Sequence, residues 1–173
     1  AMMKRFVVIT LFPEMFEPVL GSSMMWKAQK DQKAEFQLIN LRDYGLGPRR
    51  QVDDKPFGGG AGMLLMIEPL TKAIERARQI LPRAKVLLMT PAKTVWDQKR
   101  AQLHAKNDDD YIIVCGRYEG FDARVEELVD EKISVGRYVL TGGELPAMIV
   151  IDSIVRLLPG VLGGGDEATV IES

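Results

Sequence analysis

The sequence predicts an α/β fold: a mostly parallel sheet flanked by helices. Three observations point there. Short runs such as Phe6-Val7-Val8-Ile9 and Tyr111-Ile112-Ile113-Val114-Cys115 are almost continuously apolar, as strands covered on both faces are. Segments of helical period alternate with these runs along the chain. Glycines gather just after the predicted strands: Gly116 after Cys115, Gly136 after Ile133-Ser134-Val135, and Gly142-Gly143 after Tyr138-Val139-Leu140.

Residues 5–11 form the first strand. Pro13 marks a helix start, with Met15, Phe16 and Val19 following at helical spacing. Residues 35–41 alternate polar and apolar and form a second strand. Residues 42–62 have no sustained period and are rich in Gly, Pro, Asp and Arg; a structureless loop of about 20 residues in a compact domain is usually functional or disordered. Within it, Phe57-Gly58-Gly59-Gly60-Ala61-Gly62 reads either as an anion cradle of backbone N–H groups or as a hinge. Residues 69–81 form a helix with Leu70, Ala73, Ile74, Ala77 and Ile80 on one face. Then follow a strand at 85–89, a helix at 96–105, a solvated turn at Asp108-Asp109-Asp110, a strand at 111–115, a short helix at 122–129 and a short strand at 133–135. The last helix, 144–158, is apolar almost all round, which calls for burial or a subunit interface. Asp152 and Arg156 stand four apart within it. They can form a structural ion pair, or Arg156 can hold a polar or anionic substrate.

The 173 residues suffice for one domain, and 46% hydrophobic with 27% charged residues is ordinary for a globular one. The formal net charge of -1 means that any nucleic-acid surface must be a local patch. A single cysteine, Cys115, excludes an intrachain disulfide, and one cysteine with one histidine cannot build a zinc site. A reducing cytoplasm fits, with no signal-peptide layout and no run long enough to span a membrane. There is no G-x-G-x-x-G and no Gly-Lys pair, so the dinucleotide fingerprint and the P-loop are absent. In open α/β sheets ligands bind outside the carboxyl ends of the strands, and glycine there admits close backbone approach. The residues alone therefore reach an α/β domain with a small-ligand cleft at its strand ends, other than a dinucleotide site.

Five strings carry a resemblance. They are Leu11-Phe12-Pro13-Glu14-Met15-Phe16, Asn40-Leu41-Arg42-Asp43-Tyr44, and Val52-Asp53-Asp54-Lys55-Pro56-Phe57-Gly58-Gly59-Gly60. Cys115-Gly116-Arg117-Tyr118-Glu119-Gly120 and Val139-Leu140-Thr141-Gly142-Gly143-Glu144-Leu145-Pro146-Ala147 complete the set. In order and spacing the chain resembles the bacterial tRNA (guanine-37-N1)-methyltransferases of the SPOUT superfamily, from about Met3 to its end. The resemblance implies a C-terminal trefoil knot and a homodimer with the active site at its interface. It also implies S-adenosylmethionine as methyl donor, with Mg2+ as a further candidate, and tRNA as partner, with no membrane. Gly116 falls at the family's cofactor-binding glycine, and Val135, Gly136, Arg137, Tyr138, Val139 and Leu140 on its main cofactor loop. Arg137 stands where the family commonly has Asp. Pro91, Gly142, Gly143 and Pro146 line the same pocket, with Tyr118 and Glu119 at its edge.

For the substrate, the resemblance implies Asp53 and Arg156, the latter donating to guanine O6. It places an aspartate base just beyond this domain; Glu172 falls nearest, Asp166 second. Residues 1–163 correspond to the methyltransferase domain and 164–173 to the start of a linker, the family's helical tRNA-binding domain being absent here. Two alternatives stand beside this reading: a dimeric module that only binds the cofactor, and another SPOUT RNA methyltransferase acting on a ribose 2′-oxygen.

Overall fold

A computed structural model describes residues 3–56, 63–117 and 120–162. In chain order the elements are β1 (Lys4–Thr10), α1 (Glu17–Leu20), α2 (Ser23–Lys30), β2 (Ala34–Asn40), β3 (Asp53–Asp54) and β4 (Leu64–Leu65). There follow α3 (Ile67–Ile80), β5 (Lys85–Met89), α4 (Gln98–Lys106), β6 (Tyr111–Cys115), β7 (Glu131–Ile133) and α5 (Glu144–Val155). Five strands form one sheet in the order β2-β1-β6-β5-β7, and every neighbouring pair is parallel. Val8 lies beside Leu38 on one side and Ile113 on the other, and Met89 lies between Cys115 and Ile133. The small β3–β4 pair is antiparallel.

The alternation of side chains along each strand splits the core in two. Phe6, Val8, Leu87, Met89, Tyr111, Ile113 and Cys115 face α2, α4 and α5. Val7, Ile9, Val86, Leu88, Ile112 and Val114 face α3 and the 3-10 turn Ala123–Leu128. Both faces are covered, which is why these strands read as continuous apolar runs. The side chain of Asp122 caps that turn by accepting from the Arg124 backbone N–H at 2.9 Å.

The elements differ from expectation in several places, the 122–129 helix among them, which is the 3-10 turn. The segment after Pro13 is a 3-10 turn followed by the single turn of α1. It buries Phe16 and Leu20 and leaves Met15 and Val19 at the surface, 39% and 43% exposed. Helix α2 was not anticipated; only Met25 and Ala28 of its eight residues are buried, too few to set a period. Helix α4 begins at Gln98, capped by Asp97 onto the Arg100 N–H, so Trp96 precedes the helix. The last strand sits two residues earlier than expected, and residues 138–140 form no strand, Val139 standing 74% exposed.

The Asp108-Asp109-Asp110 run is more than a solvated turn. The Lys4 ammonium, itself buried, donates to the carbonyls of His104 (2.8 Å), Asn107 (2.9 Å) and Asp109 (2.8 Å). Asp110 accepts from the Arg5 backbone N–H at 2.8 Å. The turn thus wraps an ammonium group and fixes the end of α4 to the start of β1. Among the described residues no helix is long and apolar enough to cross a membrane.

Candidate functional site

The carboxyl ends of β5, β6 and β7 converge on one cleft. Gly116 continues β6, and its N–H donates to the Met89 carbonyl at 3.3 Å. The chain returns to that point well over twenty residues later: the Gly143 N–H donates to the Gly116 carbonyl at 2.8 Å, and Arg117 and Gly142 form an antiparallel bridge. A Cβ on Gly116 would stand 2.7 Å from the Met89 carbonyl oxygen. One on Gly143 would stand 2.8 Å from the Gly116 nitrogen and 3.0 Å from the Cys115 Cα. These two backbones touch because neither residue has a side chain. At Gly142 the obstacle would be the Glu144 carboxylate, at 2.6 Å. The close backbone approach expected there belongs to Gly143 and Gly116.

On the other side, the Trp96 N–H donates to the Ser134 carbonyl at 2.7 Å, and the Ser134 hydroxyl donates to the Gly136 carbonyl at 2.8 Å. Between the two walls lies a narrow, mostly apolar cleft. Pro91, Gly116, Val135, Gly136, Tyr138, Val139, Leu140, Gly142, Gly143 and Pro146, all singled out from the sequence, line it. Met89, Thr90, Arg117, Ile133 and Ser134 line it too and were not singled out. Arg117 stands inside the Cys115–Gly120 motif, directly after Gly116, and that adjacency was the available signal. Arg137 is exposed and does not line the cleft, and neither does Arg156, which caps the far end of α5. Asp53 reaches the cleft wall through Arg117, its carboxylate 3.6 Å from the guanidinium. Tyr118, Glu119, Asp166, Glu172 and the 57–62 string lie outside the described residues, as do residues 164–173.

Behind the cleft, Glu144 is buried at the start of α5 and accepts from the Thr10 hydroxyl at 2.8 Å. Burial pushes the Cys115 thiol well up, and the neighbouring Glu144 carboxylate adds to the shift. A buried thiol held neutral is neither nucleophile nor metal ligand. Among the described residues no group of three or more His, Cys, Asp or Glu side chains is placed to hold a metal ion. The site therefore offers shape, backbone hydrogen bonds and one wall cation, and no covalent catalyst among its lining residues.

A family described as tRNA (Guanine-1)-methyltransferase TrmD has a model that matches residues 3–173. The chain belongs to this family. It is 49% identical over 166 residues to the tRNA (guanine-N(1)-)-methyltransferase of Bacillus subtilis (strain 168), covering 95% of this chain and 67% of that relative. It is 47% identical over 159 residues to that of Desulfitobacterium hafniense (strain Y51), covering 92% of this chain. The chain spans 60% of the length of that second relative. The crystal structure of the tRNA (m1G37) methyltransferase from Aquifex aeolicus superposes with a TM-score of 0.85 at 38% identity, over 93% of this chain and 72% of that one. The α/β architecture with its parallel sheet is thus the fold of the tRNA (Guanine-1)-methyltransferase family.

Proposed function

We propose that this chain transfers a methyl group from S-adenosylmethionine to N1 of guanine 37 in tRNA. The observation that carries the reading is the family match over residues 3–173, together with a cleft at the strand ends lined by the residues that the family resemblance singled out. The chemistry of the lining suits a nucleoside donor: glycine backbones at 116, 136 and 142–143 and mostly apolar walls. Gly116, Val135, Gly136, Tyr138, Leu140, Gly142 and Pro146 would hold the donor, with Pro91, Val139 and Gly143 completing the pocket; Arg137, Tyr118 and Glu119 would lie at its edge. When bound, the donor supplies a methyl group already activated on sulfonium, so no protein nucleophile is required.

What the protein must add is proton transfer from N1 and stabilisation of charge on O6. Arg156 is the proposed donor to O6, Asp53 a substrate contact, and Glu172 the leading candidate for the base. Helix α5 runs from Glu144 to Val155, so Arg156 lies about 18 Å along its axis from the cleft end, at 1.5 Å per residue. An arginine so placed meets a methyl donor most simply in the cleft of a second chain. This supports a homodimer with the active site at its interface. So does the apolar surface of Phe12, Met15, Leu145 and Ile149 left uncovered in one chain. We read the return of residues 142–143 across the end of β6, with α5 packed beyond it on α2 and α4, as a trefoil knot.

In this reading residues 1–163 are the methyltransferase domain, 164–173 lead into a linker, and the protein works in the cytoplasm. Mg2+ remains a candidate requirement, tested by chelation. The deciding experiment is incubation with methyl-labelled donor and tRNA carrying guanine 37, followed by nucleoside analysis. The expected product is 1-methylguanosine. A 2′-O-methylated nucleoside would indicate the other SPOUT chemistry, and donor binding without turnover a binding module.

A further inference from the structure

Trp96 lies outside the cleft and yet joins both of its walls. Its backbone N–H donates to the Ser134 carbonyl at 2.7 Å, beside a parallel bridge between Val95 and Ser134. Ser134 in turn holds Gly136 through its hydroxyl, so this bond positions the Ser134–Gly136 wall. The indole Nε1–H donates to the Ser153 hydroxyl at 2.8 Å, and that hydroxyl donates to the Val150 carbonyl at 2.9 Å inside α5. Helix α5 carries the other wall, since Gly143 leads into it and Pro146 lies in its first turn.

The indole ring is itself held. It meets the His104 ring edge-on at 4.8 Å between centroids, and the Arg100 guanidinium lies 5.5 Å over it. Both of those side chains engage Glu131, the first residue of β7: Arg100 as an ion pair, and His104 with Nε2 2.9 Å from the carboxylate. The same strand runs on to Ser134. Helix α4, strand β7, helix α5 and the Ser134–Gly136 loop therefore meet at one residue, the loop through its backbone and the helices through its indole, and that residue is buried and does not line the cleft.

We propose that Trp96 is a positioning residue for the methyl donor, setting the spacing between the Ser134–Gly136 wall and the α5 wall of the cleft. The proposal rests on the reading of the cleft as the donor site. Three variants test it: Trp96→Phe and Ser153→Ala, which each remove the indole–hydroxyl bond and keep the packing, and their double variant. Calorimetry with S-adenosylmethionine reads affinity, and amide hydrogen exchange of the chain without ligand reads the order of Val135 and Gly136.

Each single variant is expected to weaken binding about threefold and to speed exchange at Val135 and Gly136. The double variant is expected to be no worse than either, because both changes delete one bond. Trp96→Ala, which also loses the ring, is expected to weaken binding about tenfold or more, with Trp96→Phe recovering most of it. Unchanged affinity and exchange in both single variants overturns the proposal, whether or not Trp96→Ala folds. Loss of thermal stability with unchanged affinity overturns it as well, since that is the signature of packing alone. If the unmodified chain takes up no S-adenosylmethionine, the donor-site reading falls and the proposal with it. If the unmodified chain binds and the variants bind equally, only the proposal falls.

Discussion

Gly116 and Gly143 are where a single methyl group matters most. A Cβ at either would press on backbone atoms that belong to a packed strand end, at 2.7 and 2.8 Å. Gly143→Ala is expected to destabilise the fold by about 1–3 kcal/mol, the usual cost of overpacking. Urea denaturation measures it, and the same variant should lose donor binding in calorimetry. At Asp122 the chemistry is electrostatic. Hydrogen bonds from the Arg124 side chain and backbone hold its carboxyl down at about 2. A carboxyl depressed in the folded state adds stability above its unfolded value, and that stability is lost as pH falls toward the folded value. The stability difference between the unmodified chain and Asp122→Asn should therefore hold steady above about pH 4 and fade by about pH 2, followed by denaturation at several pH values. Arg124 is largely exposed, so the difference is expected to be small.

At the scale of the element, α5 divides its apolar residues between the chain's own core and an exposed face. Ala147, Val150, Ile151, Ile154 and Val155 are buried within the chain. Leu145 and Ile149, one turn apart, remain 55% and 46% exposed, and Leu145 shares a surface cavity with Phe12 and Met15. Charge introduced on the two sets should therefore act differently. Ile149→Asp is expected to leave the circular dichroism spectrum intact and shift light scattering from dimer to monomer. Ile154→Asp is expected to unfold the domain, because Ile154 is fully buried and an unpaired charge there has no compensating partner. A chain that is already monomeric at micromolar concentration would remove the basis for the Ile149 prediction.

At the scale of the whole molecule, the proposed function makes the separation of Arg156 from the cleft a testable feature. Arg156→Ala is expected to lower kcat by about 10²–10³-fold, the scale for removing one donor to developing charge, while donor affinity stays within about twofold. Co-expression sharpens the test. A chain crippled in the cleft by Gly143→Ala, mixed with a chain carrying Arg156→Ala, should recover about a quarter of full activity if each site draws on two chains. Half of a random mixture is heterodimer, with one sound site in two. No recovery would place cleft and arginine in the same chain and count against a shared site.

The sequence by itself determined the four long strands, helix α3 and most of helices α4 and α5, and it marked most of the residues that line the cleft. Strands covered on both faces must be apolar throughout, so β1, β5 and β6 were legible residue by residue. Glycines after apolar runs pointed to Gly116, Gly136 and Gly142-Gly143, and the five motif strings pointed to the family. Short elements were not legible: α2 buries two residues of eight, and the β7 register depends on pairing with β5. Only the tertiary structure decided which glycine needs to be one, because that depends on what backbone arrives from a distant part of the chain. Only it placed Arg117 against Asp53, wrapped the aspartate run around Lys4, and bonded Trp96 to both Ser134 and Ser153. Local pattern records what each segment buries; contacts between distant segments exist only once the chain has crossed itself, and those contacts shape the cleft.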